Sequence, residues 1–270
     1  MCELLGMDCN VPTDIVFSFA GFSRRGGRTA AHGDGWGLCL YEGRAVREFR
    51  EPHAAATSAL ADYLRTTPIA TKIAVAHIRR KTSGRLSLPN THPFTRELWG
   101  RQFSFAHNGP VKAVKKRKLG RFRPVGNTDS EHAFCWMLEA LRAGFRGYPS
   151  SSRALWDAVA TLGGDVARDG TFNFLMSDAR FLFARCHTNL THIVRQHPFS
   201  TATLADADVS IDFSKVTTPR DRVAVVATRP LTRDENWTTA APGTLLVFRE
   251  GALRATLPSV APRARARARR

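Results

Sequence analysis

Short runs rich in Val, Ile, Leu and Phe, bounded by Gly, Asp, Asn or Pro, recur at positions 36–41, 72–77, 103–107, 172–176, 180–184, 223–228 and 244–248. Runs of this length and composition predict β-strands. Apolar residues at helical period predict helices over 53–65, 130–143 and 152–162. The second has a marked start: Thr128-Asp129-Ser130-Glu131 reads as a capping box, with Thr128 as N-cap and Glu131 reaching back. Ala133, Phe134, Met137, Leu138 and Leu141 then share one helical stripe. Strands lead, helices cluster in the middle and strands return. That order argues against a doubly wound parallel sheet, which alternates strand and helix. It fits an α+β fold of two mainly antiparallel sheets packed face to face and covered by helices.

With 270 residues, 43% of them hydrophobic, the chain has enough material for a large buried core. Residues 2–257 read as one domain, and 258–270 as a disordered Arg/Ala-rich tail that buries too little to fold alone. The five cysteines (Cys2, Cys9, Cys39, Cys135, Cys186) include no C-x-x-C pair, which fits a reducing cytoplasm better than a disulfide framework. Glu3 and Asp8 interrupt the first residues, so no signal segment is expected there. No apolar run approaches the ~18 residues that span a bilayer.

The net charge of +17 raises a nucleic-acid hypothesis. Five of those charges, however, are arginines of the last eight residues, and a second cluster is Lys115-Lys116-Arg117-Lys118 with Arg121 and Arg123. Neither is interleaved with stacking aromatics. Both read as solvated basic segments, and nucleic acid is not expected to be the partner. Gly33-Asp34-Gly35-Trp36-Gly37 leads into a strand and lacks the Gly-Lys-Ser/Thr ending of a phosphate loop.

The candidate chemistry begins at Cys2. Removal of Met1 leaves a thiol and a free α-amine on one residue. An amine of pKa ~7.7–8.0 beside a thiol of pKa ~8.5 supplies its own general base. Four segments complete a constellation. Arg79, directly after the buried run 73–78, can offer a two-pronged donor to a carboxylate. Asn90-Thr91-His92-Pro93-Phe94 follows. The strand 103–107 delivers Asn108 and Gly109, whose side-chain amide and backbone N–H suit a developing oxyanion. Asp129 puts a carboxylate at a helix start, where it can bind an ammonium. His77, His92 and His107 do not fall at the i, i+4 spacing of a helical metal site, so neither a metal nor a cofactor is expected.

In this order the motifs are specific. Cys2, Asp34-Gly35-Trp36-Gly37, His77-Ile78-Arg79 with Thr82 and Gly84, His92-Pro93-Phe94, His107-Asn108-Gly109 and Thr128-Asp129-Ser130-Glu131 together resemble the class II glutamine amidotransferases of the N-terminal-nucleophile hydrolase superfamily. The segments 172–178 and 228–232 resemble its stand-alone, single-domain branch. The resemblance implies a four-layer αββα sandwich and acyl transfer through a γ-glutamyl thioester. It implies Cys2 as nucleophile and Asn108 with Gly109 as oxyanion hole. Arg79 and Asp129 would hold the α-carboxylate and α-amine of a glutamyl group, with Thr82, Gly35, Trp36 and His92 lining the pocket.

Where the large synthases of the family continue Arg-Trp-x-Thr-His-Gly, this chain reads Arg79-Arg80-Lys81-Thr82-Ser83-Gly84. The substrate therefore stays open between glutamine and a γ-glutamyl peptide or thiol conjugate. A chain of this length is not expected to hold a synthase domain as well, so ammonia would pass to a synthase or other amine-acceptor partner or to solution. A non-catalytic basic adaptor that binds nucleic acid through its tail is the alternative from a different class.

Overall fold

The computed structural model describes residues 2–80 and 85–260; Thr82 and the tail 261–270 lie outside the described residues. In chain order the elements are β1 (Glu3–Thr13), α1 (Val16–Arg24), β2 (Trp36–Glu42), β3 (Ala45–Glu51), α2 (Ala59–Thr66), β4 (Thr71–Ile78), β5 (Phe94–Leu98) and β6 (Arg101–Asn108). They continue with α3 (Asp129–Gly144), α4 (Ser152–Val166), β7 (Asn173–Ser177), β8 (Leu182–Cys186), β9 (Thr191–Gln196), β10 (Thr201–Thr203) and β11 (Ser210–Asp212). The last are β12 (Arg222–Ala227), β13 (Thr238–Thr239), β14 (Thr244–Arg249) and β15 (Ala252–Pro258).

One sheet has the order β13-β9-β12-β1-β4-β2-β3 and the other β15-β14-β8-β7-β6-β5; β10 and β11 form a separate hairpin. Every pairing is antiparallel. Side chains alternate between the faces of each strand, and the core divides accordingly. Leu4, Val75 and Val226 of the first sheet meet Ala106, Leu175, Ala184 and Phe248 of the second in the middle layer. Leu5, Met7, Leu38 and Ala76 face outward, onto Phe19 and Phe22 of α1 and Leu64 of α2. Phe103, Phe105 and Phe183 face the opposite way, onto Phe134 and Leu138 of α3 and Leu155 of α4. The result is the α+β fold of two packed antiparallel sheets covered by helices expected from the element order, and the four-layer αββα sandwich that the resemblance implies. Each fully buried Leu or Phe contributes about 1.5–3 kcal/mol of hydrophobic stabilisation.

Two boundaries move for local reasons. Asp178 Oδ1 accepts from the backbone N–H of Arg180 and of Phe181, at 3.0 and 2.8 Å, so positions 180–181 form a turn and β8 starts later. The helix expected over 53–65 begins only at Ala59, where Ser58 accepts from Ala61 N–H at 2.9 Å. The capping box is half as expected. Thr128 Oγ1 does accept from Glu131 N–H at 3.2 Å. Glu131, however, takes the backbone N–H groups of Val125 and Gly126 and an ion pair from Arg96, because the loop before α3 folds over its first turn. Among the described residues no helix is long and apolar enough to cross a membrane.

Candidate active site

The alternation that builds the middle layer also places the chemistry. Continuing the pattern of β1 outward from Leu4 puts Cys2 on the inner side of the first sheet. On β6, Asn108 shares the inner side with Ala106. The two ends meet: Asn108 Nδ2 donates to the Cys2 carbonyl at 2.5 Å. One N–H of that amide is thereby used and the other remains, while Oδ1 is buried without a partner among the described residues.

The neighbouring strand end supplies the next contact. β4 pairs with β1 so that Ile78 lies opposite Glu3, and the chain leaving β4 passes the thiol. Arg80 N–H donates to Cys2 Sγ at 3.3 Å, and the thiol donates to the Arg80 carbonyl at 3.4 Å. Desolvation pushes the Cys2 thiol above its ordinary range, against the Arg80 N–H and the positive charge of Arg79. The resting sulfur is therefore a thiol, and its reaction needs a base. Arg79 is buried, with Nη1 donating to the Arg85 carbonyl at 3.3 Å and its main chain bonded to Gly35 and Asp34.

A carboxylate on the far wall also holds the loop after β6. Asp129 Oδ2 accepts from Val111 N–H at 2.8 Å and Oδ1 from Ser130 N–H at 3.0 Å. Between Asn108 and Val111, Gly109 adopts φ +132°, and a Cβ there would collide with the Thr171 carbonyl oxygen. Only glycine fits this turn. Asn173, opposite Asn108 on β7, donates to the Asn108 carbonyl at 3.2 Å and accepts from His187 and Thr188 N–H, fixing the strand end.

Three buried histidines lie around the cleft floor. His107 Nε2 meets the Thr171 carbonyl at 3.1 Å, so Nε2 carries the proton and Nδ1 accepts from the Ser130 hydroxyl at 2.8 Å. Burial pushes its pKa down to about 4. His77 and His92 pack against each other with ring centroids 4.2 Å apart and planes tilted by 35°. Burial, then the charge of neighbouring histidines, holds His77 at about 3 and His92 well below the ordinary range. All three are neutral near pH 7 and none is poised there as a base. Gly37 makes room for this group, since a Cβ on it would strike the His92 carbonyl.

Cys2, Arg79, Arg80, His92, Asn108, Gly109 and Asp129 line one cleft of about 100 Å3. The structure thus brings together six of the residues expected from sequence. Gly35 and Trp36 are not among the residues lining that cleft. Gly35 braces Arg79 through its carbonyl, and Trp36 is buried against Phe19 with its indole donating to Glu51 at 3.1 Å. Thr82 lies outside the described residues. Among the described residues no group of three or more His, Cys, Asp or Glu is arranged to hold a metal ion.

Sequence reading did not reach the clamp behind Cys2. Glu3, on the outer face, is buried between Arg25 Nη1 at 3.1 Å and Arg229 Nη2 at 2.9 Å. Arg25 also pairs with Asp206 at 2.7 Å and donates to the carbonyls of Arg229 and Pro230. Leu4 exchanges main-chain and hydroxyl bonds with Thr228. These partners stand more than 20 positions away in sequence and leave no local signal.

The family description "Glutamine amidotransferases class-II" matches residues 1–270. The chain belongs to the class II glutamine amidotransferases. It is 49% identical over 248 residues to YafJ of Escherichia coli (strain K12), which bears a glutamine amidotransferase name, across 92% of this chain and 97% of that protein. A Haemophilus influenzae protein of like name is 44% identical over 251 residues, 93% of this chain and 85% of its own length. Among solved structures, a predicted glutamine amidotransferase from Pseudomonas aeruginosa PA01 superposes with a TM-score of 0.76 at 41% identity, over 94% of this chain and all of that one. Glutamine phosphoribosylpyrophosphate amidotransferase from B. subtilis shares the fold, at TM-score 0.60 and 14% identity, over 96% of this chain and 49% of its own.

Proposed function

We propose that this amidotransferase hydrolyses the γ-amide of glutamine or of a γ-glutamyl compound through a thioester on Cys2. The observation that carries the reading is the meeting of Cys2, Asn108, Gly109, Arg79 and Asp129 around one small cleft. Loss of Met1 frees the Cys2 α-amine. Arg79 binds the α-carboxylate of the glutamyl group and Asp129 its α-ammonium, which points the γ-carbonyl at Sγ.

The α-amine accepts the thiol proton as Sγ attacks, and a C–S bond forms. The carbonyl oxygen takes the negative charge, against the spare N–H of Asn108 and the backbone N–H of Gly109. Preorganised donors at such a site are typically worth ~2.7–4 kcal/mol each. Collapse of the adduct breaks the C–N bond, and the α-ammonium protonates the departing nitrogen. A water molecule, deprotonated by the same amine, then attacks the thioester and releases glutamate and the Cys2 thiol. Ammonia, where it is the product, goes to solution or to a synthase or amine-acceptor partner.

The reading is tested by glutamate release from glutamine and from γ-glutamyl amides. The wild-type protein should turn over at least one of them, and Cys2→Ala should lose the activity about a thousandfold or more. Full hydrolysis by Cys2→Ala would overturn it.

A further inference from the structure

The charges of the cleft are not matched by glutamine alone. A bound glutamyl head presents one carboxylate and one ammonium, which Arg79 and Asp129 satisfy under the reading above. Arg80 is then a third fixed charge in the same cleft. It follows Arg79 directly, yet the two differ in setting: Arg79 is buried and Arg80 exposed. The main chain of Arg80 flanks Cys2 Sγ on both its N–H and its C=O, at 3.3 and 3.4 Å. Its side chain therefore starts beside the sulfur that the reacting carbonyl must approach. Among the described residues its guanidinium makes no hydrogen bond or ion pair. Asp34 N–H donates to the Arg79 carbonyl at 3.2 Å, and the Asp34 charge acts on the Arg79 guanidinium.

The chain that leaves the cleft adds basic residues. Pro110 lines the cleft and runs into a turn, Lys112–Lys116, with Lys112, Lys115 and Lys116 exposed. Asp129 is the one carboxylate among the cleft-lining residues, and both its oxygens already accept main-chain N–H groups. An excess of basic over acidic side chains around a cleft raises the local concentration of anions.

We propose that Arg80 is a specificity-determining residue that reads the leaving-group side of the substrate. It selects γ-glutamyl amides whose amine portion carries an anionic group, such as the carboxylate of a γ-glutamyl amino acid, over glutamine and over neutral amides. This rests on the proposed γ-glutamyl chemistry at Cys2. The new content is the charge on the departing amine and the residue that recognises it.

The test compares γ-glutamylglycine with γ-glutamylglycinamide, its neutral counterpart, and with glutamine, by the ratio of their kcat/KM values. Glycinamide is the less basic amine and intrinsically the better leaving group, so a preference for the glycine compound must come from the protein. Wild-type protein should favour γ-glutamylglycine by about tenfold, the size of one charge-assisted hydrogen bond. The advantage should shrink as salt is raised. Arg80→Gln should bring the ratio to about one, whatever its absolute rate, and Arg80→Lys should restore much of it. A wild-type ratio of one or less overturns the assignment without recourse to any variant, and so does a tenfold ratio that persists in Arg80→Gln. Where glutamine is hydrolysed in a Cys2-dependent way and the ratio is one, Arg80 alone is misassigned. Where none of the three compounds is hydrolysed, the Cys2 reading fails and this proposal with it.

Discussion

Replacing Asn108 by alanine separates the two tasks that its amide is positioned for. One N–H holds the Cys2 carbonyl at 2.5 Å. The other is the proposed oxyanion donor, and losing such a donor costs ~2.7–4 kcal/mol in the transition state. That corresponds to a fall in kcat of about 10^2–10^3. KM should move by less than about threefold, because Arg79 and Asp129, the proposed binders of the glutamyl head, are untouched. The stability effect should be much smaller than the kinetic one. The Cys2 carbonyl loses a buried partner, a cost of ~1–3 kcal/mol. The truncation also removes the buried Oδ1 that has no partner among the described residues, which offsets part of this. A net loss of about 1 kcal/mol follows. Steady-state glutamate release gives kcat and KM, and urea unfolding followed by circular dichroism gives the stability. An Asn108→Ala protein that folds normally and keeps kcat within about threefold of wild type would refute the oxyanion assignment.

Three further outcomes are expected. Arg79→Gln, which cannot offer a charged fork to the α-carboxylate, should raise KM by about 10–100-fold; an unchanged KM would remove Arg79 from substrate binding. Glu3→Gln leaves the buried Arg25 guanidinium with Asp206 as its remaining carboxylate and should destabilise by about 1.5–3 kcal/mol in urea unfolding, the worth of a hydrogen bond to a charged group; a change within the error of the measurement would mean that the Glu3 clamp does not hold the N-terminal strand. Burial raises the Asp8 carboxyl, whose Oδ1 accepts from Gly251 N–H at 2.6 Å, from an ordinary 3.8 to about 7. Such a group binds its proton more tightly when folded, so its contribution is present below pH ~4 and is lost as pH rises through about 7. Wild type and Asp8→Asn should therefore match at pH 4, with the variant ahead by up to about 3–4 kcal/mol at pH 8; a constant difference across that range would contradict it.

Much of the site was legible because it is written in local motifs. Asn108-Gly109 at a strand end, Arg79 after a buried run and Asp129 at a helix start each carry their own signal, and strand ends in an antiparallel sandwich converge. The first strand was not legible. Gly6, Asp8 and Glu3 break any simple alternation in Glu3–Thr13, and each is accommodated by something remote: Gly6 by Leu182 and Leu175, Asp8 by Gly251, Glu3 by Arg25 and Arg229. Trp36 shows the opposite failure. It sits within a motif associated with the pocket, yet the indole spends its hydrogen bond on Glu51 and its surface on Phe19, a choice set by which face of β2 it occupies. Asn173 could not be singled out, because its role depends on strand register, which pairs it with Asn108.

The central claim is that the thiol of a mature, N-terminal Cys2, with its own α-amine as base, attacks a γ-glutamyl carbonyl. The most direct test is mass spectrometry of the full chain after treatment with a γ-diazoketone analogue of glutamine, with peptide mapping of the adduct. The account predicts a protein lacking Met1, with one equivalent of label on Cys2, none on Cys9, Cys39, Cys135 or Cys186, and loss of hydrolysis in step with labelling. An active protein that retains Met1, or one inactivated by label on a different cysteine, would contradict it.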